Sequence, residues 1–225
     1  MATASARELT TRERRHAPGR AGTPAEGREL RARGQRTVRK LLDAGIEVFG
    51  TKGYHPSRVD DIVKVAKTSH GTFYLYFANK EDLFSALALD VADEMHDLVD
   101  SLGTLTADAE GYDTLRQWLA DFADIHEHYA PVIKAWTEAE IDGSEFGRLG
   151  TNVLGDFAAT LARRIADSPD VDAEPEIGAL ALVAMIERFN YYVIAGQVGG
   201  DADTRLDTLT AIVFAALFGA QIARP

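Results

Sequence analysis

The sequence predicts an all-α protein, with an N-terminal three-helix helix-turn-helix domain followed by a larger helical domain. Apolar residues recur at helical spacing from about residue 33 onward. No segment alternates apolar and polar residues as a half-buried strand would. Gly53, Gly143, Pro175 and Gly199-Gly200 interrupt the periodic pattern, so we expect separate helices of moderate length.

The composition excludes several classes of protein. The 225 residues are 46% hydrophobic, which is ordinary for a folded protein, and they include no cysteine. Disulfides, thiolate metal sites and a cysteine nucleophile are therefore excluded. The sequence lacks a run of about 18 uncharged apolar residues and lacks the apolar core of a signal peptide. We expect no membrane helix and a cytoplasmic protein.

The net charge of −11 is distributed unevenly along the chain. Residues 1–80 contain 16 basic and 8 acidic residues, whereas residues 81–225 contain 8 basic and 27 acidic residues. Only the N-terminal part can approach an anionic partner such as nucleic acid favourably. A basic disordered tail would account for about half of this excess, so charge alone does not establish nucleic-acid binding.

The N-terminal elements follow in order. Residues 1–32 are polar, rich in arginine and glycine, and without apolar periodicity, so we expect a disordered basic tail that either contacts DNA or stays solvated. The first helix begins near Arg33 and ends at Gly53. The three-helix domain is predicted to span residues 33–79, and the second domain residues 80–225.

Two short helices and a tight turn follow the first helix. Ser57 is expected to cap the second helix, with Asp60 as the acidic residue of a capping box. Lys67-Thr68 forms the connection, and Ser69 caps a third helix that continues to about Phe77. A long helix starts at Asn79. Further helices are predicted at about 112–129, 131–142, 145–168, 175–198 and 203–222.

Three helices with a very short turn between the last two are typical of a helix-turn-helix DNA-binding domain. The third helix is narrow enough to enter a major groove, where Ser69, His70, Thr72 and Tyr74 reach base edges or phosphates. Gly71 keeps the backbone thin at the closest approach. The alternatives are packing between short helices for the tyrosines and a solvated surface position for His70.

This part of the chain resembles the tetracycline-repressor (TetR) family over about residues 35–86. The resemblance is carried by Ala44, Phe49, Gly53-Tyr54, Val59-Asp60-Asp61-Ile62, Ala66 and, above all, the block from Gly71 to Phe84 with sequence GTFYLYFANKEDLF. It implies that the second and third helices form the DNA reader and that a long fourth helix links it to an effector domain. Phe73 and Phe77 would belong to the core.

The resemblance also implies a set of DNA contacts, and the sequence departs from the family pattern at three positions. The implied contacts are Ser57, Arg58, Ser69, His70, Thr72, Tyr74, Tyr76 and Lys80. Lys67 stands where the family usually has glycine, and a left-handed backbone at this lysine would cost on the order of 1 kcal/mol. Thr68 and Arg58 also depart from the usual residues, which leaves the operator sequence undetermined.

The last two helices, 175–198 and 203–222, are apolar around much of their circumference. Helices too apolar for a monomer surface indicate a four-helix interface between two copies of the chain. The alternative is that they are buried core helices. A homodimer would hold two DNA-reading helices about 34 Å apart, which is one turn of the duplex.

Aromatic and polar residues interleave on the middle helices and predict a pocket for a mostly apolar small-molecule effector. The expected lining residues are Trp118, Phe122, His126, Tyr129, Trp136, Glu140, Asn152, Phe157, Met185, Phe189 and Tyr192, with Asn190 as a further polar candidate. For any one of them, ordinary core packing is the stronger interpretation.

No enzyme motif emerges. His126-Glu127-His128 contains two potential metal ligands, but residues two apart on a helix point in different directions. The zinc-protease, hydrolase and phosphate-loop patterns are absent from the sequence. We therefore predict no catalytic residues, no metal and no cofactor. The expected function is a ligand-responsive repressor that binds a palindromic operator as a dimer and is released by a small molecule; the alternative is a helical protein-interaction module.

Overall fold

The computed structural model describes residues 32–141, 145–168, 170–171 and 173–219, and the regular elements within them are helices. The predicted all-α class is confirmed. In chain order the helices are α1 (Ala32–Lys52), α2 (Val59–Val65), α3 (His70–Tyr76), α4 (Lys80–Ser101), α5 (Ala109–His128), α6 (Ala130–Ile141), α7 (Glu145–Ala166), α8 (Pro175–Ile194) and α9 (Ala202–Phe218). The basic tail predicted for residues 1–32 lies outside the described residues, except for Ala32.

The chain divides into two compact units, which meet in sequence between Asp93 and Glu94. We call them the head and the body. The sequence placed this boundary at residues 79 and 80, whereas the start of α4 belongs with the head. The reason is close packing: a Cβ added at Gly45 of α1 would lie 2.6 Å from Cδ2 of Leu83 on α4. Arg39 and Asp90 also join the two helices through a hydrogen bond of 3.1 Å.

The head folds around a small aromatic and aliphatic core. Phe49 of α1 and Phe84 of α4 meet edge to face with their ring centroids 6.0 Å apart. Ile62 of α2 and Phe73 of α3 are fully buried beside this core. Each short helix therefore contributes one large apolar side chain. Helices of two turns are unstable alone, so this shared core holds α2 and α3 in place.

The body consists of α5 to α9 and the end of α4. Helix α5 packs against α6, α8 and α9, and α7 packs against α6 and α8. Arg116 of α5 donates a hydrogen bond of 2.7 Å to Asp207 of α9. Leu119, Ile165 and Ile186 lie among the fully buried side chains of this unit.

Several helix boundaries in the body differ from the predictions, and two of them have a clear local cause. Helix α5 starts at Ala109, not 112, because the Asp108 carboxylate accepts a hydrogen bond of 2.8 Å from the Gly111 amide and caps the helix. Helix α8 ends at Ile194, not 198, because Gly196 adopts a left-handed backbone with φ of 68°. The glycine that ends α8 is therefore Gly196, several residues before the Gly199-Gly200 pair.

Helix α8 differs from the other helices in its apolar composition. In the part of the chain that the structure describes, it is the helix whose length and composition would permit a membrane crossing. Core helices of globular proteins satisfy the same criterion, so this property is weak evidence for a membrane segment. Only 28% of the apolar 18-residue segment of this helix is buried within the chain.

Candidate functional site

Helix α2 begins one residue later than the sequence predicts. Arg58, not Ser57, occupies the N-cap position, and its backbone amide donates a hydrogen bond of 3.1 Å to the carboxylate of Asp61. The capping acid is therefore Asp61 and not Asp60. Nζ of Lys52 also donates a hydrogen bond of 2.5 Å to Oδ1 of Asp61. These two hydrogen bonds, with that from Lys52 the stronger cause, lower the pKa of the Asp61 carboxyl.

Ser57 has a different role from the one expected. It is 3% exposed, and its hydroxyl donates a hydrogen bond of 2.5 Å to the carbonyl oxygen of Gly53. This bond closes the loop between α1 and α2. A hydroxyl that is buried and already donating is not available to a phosphate.

The turn between α2 and α3 is a Schellman motif. The amide of Thr68 donates to the Val63 carbonyl at 3.0 Å, and the amide of Lys67 donates to the Lys64 carbonyl at 3.2 Å. Lys67 has a φ angle of 49°, which lies in the left-handed region. This is the conformation considered for Lys67 from the sequence, because the TetR family usually has glycine at this position. This conformation lets the chain reverse within two residues and start α3 at once.

Lys67→Gly should stabilise the head. Glycine adopts the left-handed conformation without the steric cost that lysine pays, so we expect the free energy of unfolding to rise by about 1 kcal/mol. Denaturant unfolding followed by circular dichroism measures this change. Lys64→Gly is the matched control, because Lys64 lies in the last turn of α2 and a glycine there should lower stability by about 1 kcal/mol. Destabilisation by Lys67→Gly would contradict this interpretation.

Helix α3 begins as predicted. The Ser69 hydroxyl accepts a hydrogen bond of 3.1 Å from the Thr72 amide, which confirms Ser69 as the N-cap. The hydroxyl oxygens of Ser69 and Thr72 also lie 3.0 Å apart, so the two side chains form a hydrogen bond within the first turn of α3. Such a cap compensates for the weak intrinsic stability of a seven-residue helix.

One side of α3 is buried and the other is exposed. Phe73 and Phe77 are 0% and 5% exposed, and they pack on each other with ring centroids 5.7 Å apart. Tyr74 is 47% exposed, and Ser69, His70 and Gly71 are exposed as well. Thr72 and Tyr76 are half-buried. The sequence therefore separates a core side from a polar side on this helix, and we call the polar side the α3 edge.

A carboxylate lies beside the α3 edge. Nε2 of His70 is 2.5 Å from Oδ1 of Asp60 on α2, and both side chains are exposed. The sequence analysis missed this pair, because ten residues and a turn separate its members. Only the angle between α2 and α3 brings them together.

Lys80 holds the loop that follows α1. Its ammonium group donates hydrogen bonds to the carbonyl oxygens of Tyr54 at 2.9 Å and His55 at 3.2 Å. It also lies 4.4 Å from the centroid of the Tyr54 ring. The sequence predicted a phosphate contact for this lysine, and the structure assigns two of its three hydrogens to the chain itself.

In the body, four of the expected pocket residues form one buried group. The rings of Phe122 and His126 stack with centroids 5.8 Å apart, Phe122 lies 5.8 Å from Phe157, and Phe157 stacks on Trp118 at 6.0 Å. We call Trp118, Phe122, His126 and Phe157 the aromatic cluster. Each member is at most 4% exposed.

The other expected pocket residues differ in burial, and the side chains of some are not described. Tyr129 is fully buried, and its hydroxyl donates a hydrogen bond of 2.7 Å to Glu94. Met185 and Phe189 are half-buried on α8, and Tyr192 is 42% exposed. The side chains of Trp136, Glu140 and Asn152 lie outside the part that the structure describes. Asn190 is buried and donates its amide hydrogen to the Ile186 carbonyl.

A known protein family matches the head of this chain. Residues 41–87 match the family model described as "Bacterial regulatory proteins, tetR family". This range contains α2, the Schellman turn, α3 and the start of α4. The head of this chain therefore has the helix-turn-helix domain of the tetR family.

Individual proteins are similar to this chain in sequence or in fold. The HTH-type transcriptional regulator YvdT of Bacillus subtilis is 36% identical over 47% of this chain and 54% of its own length. The HTH-type transcriptional regulator EthR of Mycolicibacterium smegmatis is 27% identical over 88% of this chain and 93% of its own. The regulatory protein TetR from Rhodobacter sphaeroides has a TM-score of 0.62 at 22% identity, covering 80% of this chain and 97% of that one.

These matches differ in what they cover. The chain spans about half the length of YvdT, and smaller shares of other curated relatives that are similar to it. The likeness in fold to the Rhodobacter sphaeroides protein covers 80% of this chain, whereas the family model covers residues 41–87. The likeness to the tetR family therefore rests most firmly on the helix-turn-helix.

Proposed function

We propose that this tetR-family chain is a ligand-responsive transcriptional repressor that binds a palindromic DNA operator as a homodimer. The observation that carries the proposal is the α3 edge. His70, Gly71 and Tyr74 are exposed on a short helix whose opposite side, with Phe73 and Phe77, is fixed in the core. A helix held in this way presents side chains to a major groove at a defined angle.

The proposed DNA contacts follow from exposure. His70, Thr72 and Tyr74 would reach base edges, and Tyr76 would lie at the border of the contact. Arg58 and Ser69 lie at the starts of α2 and α3, where side chains and backbone amides meet phosphates. The ammonium group of Lys80 donates two hydrogens to backbone carbonyls, so its third hydrogen would be available to a phosphate. We leave Ser57 out because its hydroxyl is buried.

Dimerisation through α8 and α9 is proposed from their exposed apolar faces. Ile177 and Leu180 are 71% and 64% exposed, and Ile212 of α9 is 51% exposed. Ala181 and Ala184 continue the face of α8 at helical spacing and are also exposed. The alternative that these are fully buried core helices does not fit such exposure. A second copy of the pair would cover these faces in a four-helix interface.

A small molecule is proposed to release the operator. Helix α4 runs without interruption from the head into the body, so it can transmit a change in the body to the head. A mostly apolar ligand that binds the body would favour a conformation in which the two heads no longer match one turn of DNA. The ligand must bind that conformation more tightly, since only differential affinity moves the equilibrium. We propose no catalytic role and a cytoplasmic location, in keeping with relatives named as transcriptional regulators.

Gly71→Ala tests the DNA-binding proposal. A Cβ at this position would meet only Ser69 Oγ, at 3.7 Å, which is an ordinary contact. Alanine should therefore raise the stability of the head by about 0.5–1 kcal/mol. If the α3 backbone lies against a duplex, the same methyl group should weaken binding by about tenfold or more. Binding is measured by fluorescence anisotropy with a duplex that the wild-type protein selects from a random pool.

The control for this experiment is Gly155→Ala, because Gly155 is an exposed helical glycine of α7 with nothing within 4 Å of an added Cβ. It should leave DNA affinity unchanged. Specific binding should also weaken steeply between low and moderate salt as counterions are released. A head that selects no duplex, or binds equally well with alanine at position 71, would instead favour the alternative of a protein-interaction module.

A further inference from the structure

His126 combines deep burial with unsatisfied polar atoms. It is 2% exposed, and neither Nδ1 nor Nε2 has a hydrogen-bond partner in the part of the chain that the structure describes. Buried polar groups in native proteins are almost always paired, so each exception requires a physical explanation. A partner from outside the chain is one such explanation.

The surroundings of His126 are aromatic. Its ring stacks on Phe122, with an angle of 24° between the two planes, and Phe157 and Trp118 extend the cluster. The indole of Trp118 is already satisfied, because its Nε1 donates a hydrogen bond of 3.0 Å to the Leu98 carbonyl. The polar atoms of the aromatic cluster that remain to be paired are therefore the two nitrogens of His126.

The protonation state of His126 limits what it can bind. Burial lowers its pKa to about 4, so the ring is neutral at pH 7. A neutral imidazole offers one hydrogen-bond donor and one acceptor. It can therefore bind a hydroxyl or a carbonyl group, whereas a carboxylate buried beside an uncharged ring would lose its hydration without gaining a counter-charge from that ring.

We propose that His126 is the polar recognition group of the effector site in the body, and that this site takes an uncharged, planar aromatic molecule with one hydroxyl or carbonyl group. The planar skeleton would pack among Trp118, Phe122 and Phe157 by ring stacking, and its polar group would pair with the imidazole. This inference rests on the proposed function, since it specifies the chemistry of the ligand that acts there.

The test uses three probes that share one naphthalene skeleton and differ in the substituent: 2-naphthol, naphthalene and 2-naphthoate. Their binding to the full chain is measured by isothermal titration calorimetry at pH 7. We expect 2-naphthol to bind at least about tenfold more tightly than either of the others, because a hydrogen bond to a buried partner is worth about that factor. Failure of 2-naphthol to bind, or equal binding of 2-naphthol and naphthalene, would overturn the proposal.

Three variants separate recognition from packing. His126→Phe keeps a flat ring and removes both polar atoms, so 2-naphthol affinity should fall by about tenfold while naphthalene affinity is retained. His126→Gln keeps a donor and an acceptor and should retain most of the 2-naphthol affinity. His128→Gln is the matched control on the exposed side of α5 and should change nothing. Equal 2-naphthol affinity of the wild type and His126→Phe would contradict the role of the imidazole.

The effect of the probe on DNA binding is measured in a separate experiment. The wild type without probe should bind its selected duplex, and 2-naphthol should weaken that binding in the wild type but not in His126→Phe. Loss of duplex binding in every sample would speak against the proposed function. Duplex binding that persists while 2-naphthol fails to bind would remove this inference and leave the DNA-binding function in place.

Discussion

A Leu180→Asp variant should be a monomer that binds its operator at least about a hundredfold more weakly than the wild type. Leu180 is 64% exposed on α8, beside Ile177 on the same face. An aspartate in the centre of an apolar interface would bury an unpaired charge, which costs several kcal/mol. Two linked heads gain about a hundred- to ten-thousandfold in affinity over one head, and the monomer would lose that gain.

Size-exclusion chromatography with light scattering measures the oligomeric state, and anisotropy with the selected duplex measures affinity. The matched control is Thr114→Asp, which places the same charge at an exposed position of α5. The control should remain dimeric and bind DNA normally. A Leu180→Asp protein that stays dimeric would show that the two copies meet through another surface.

Lowering the pH from about 6.5 to about 4 should destabilise the body through His126 by up to about 3 kcal/mol. Its pKa is lowered by burial from 6.5 to about 4. Between these values the unfolded chain binds a proton that the folded chain does not, so stability falls as the pH falls. Below about pH 4 both states are protonated and the contribution levels off.

The measurement is denaturant unfolding of the wild type and His126→Phe at several pH values from 7.5 to 4. Carboxylates also titrate over part of this range, so the difference between the two proteins isolates the histidine. The wild type should lose more stability than the variant as the pH falls. His128→Gln, which changes an exposed histidine of the same helix, should follow the wild type. Parallel curves for the wild type and His126→Phe would show that burial does not hold the imidazole neutral.

The sequence predicted the head in more detail than the body, for a physical reason. Caps and turns depend on residues a few positions apart, so Ser69 as the N-cap of α3 and the sharp turn at Lys67 were visible as local patterns. Ser57 shows the limit of such patterns. A serine near a helix start can cap it or close the preceding loop, and here the carbonyl of Gly53 takes its hydroxyl.

The candidate ligand site was less predictable. Aromatic residues at helical spacing are compatible with a pocket and with ordinary packing, and only tertiary contacts distinguish the two. Trp118 and Phe157 come from different helices and stack in the fold, whereas Tyr192, which was expected in the same site, is 42% exposed. Among the described residues no side chain or carbonyl pairs with His126, and the sequence could not predict this, because it depends on every neighbour of the ring in the fold.

The contact between His70 and Asp60 has a consequence for base selection. An ionised carboxylate only accepts hydrogen bonds, so the hydrogen of a neutral His70 ring must lie on Nε2, the atom that faces Asp60. The opposite nitrogen, Nδ1, is then an acceptor, which has no attraction for a phosphate oxygen. It is complementary to the exocyclic amino groups of adenine and cytosine in the major groove.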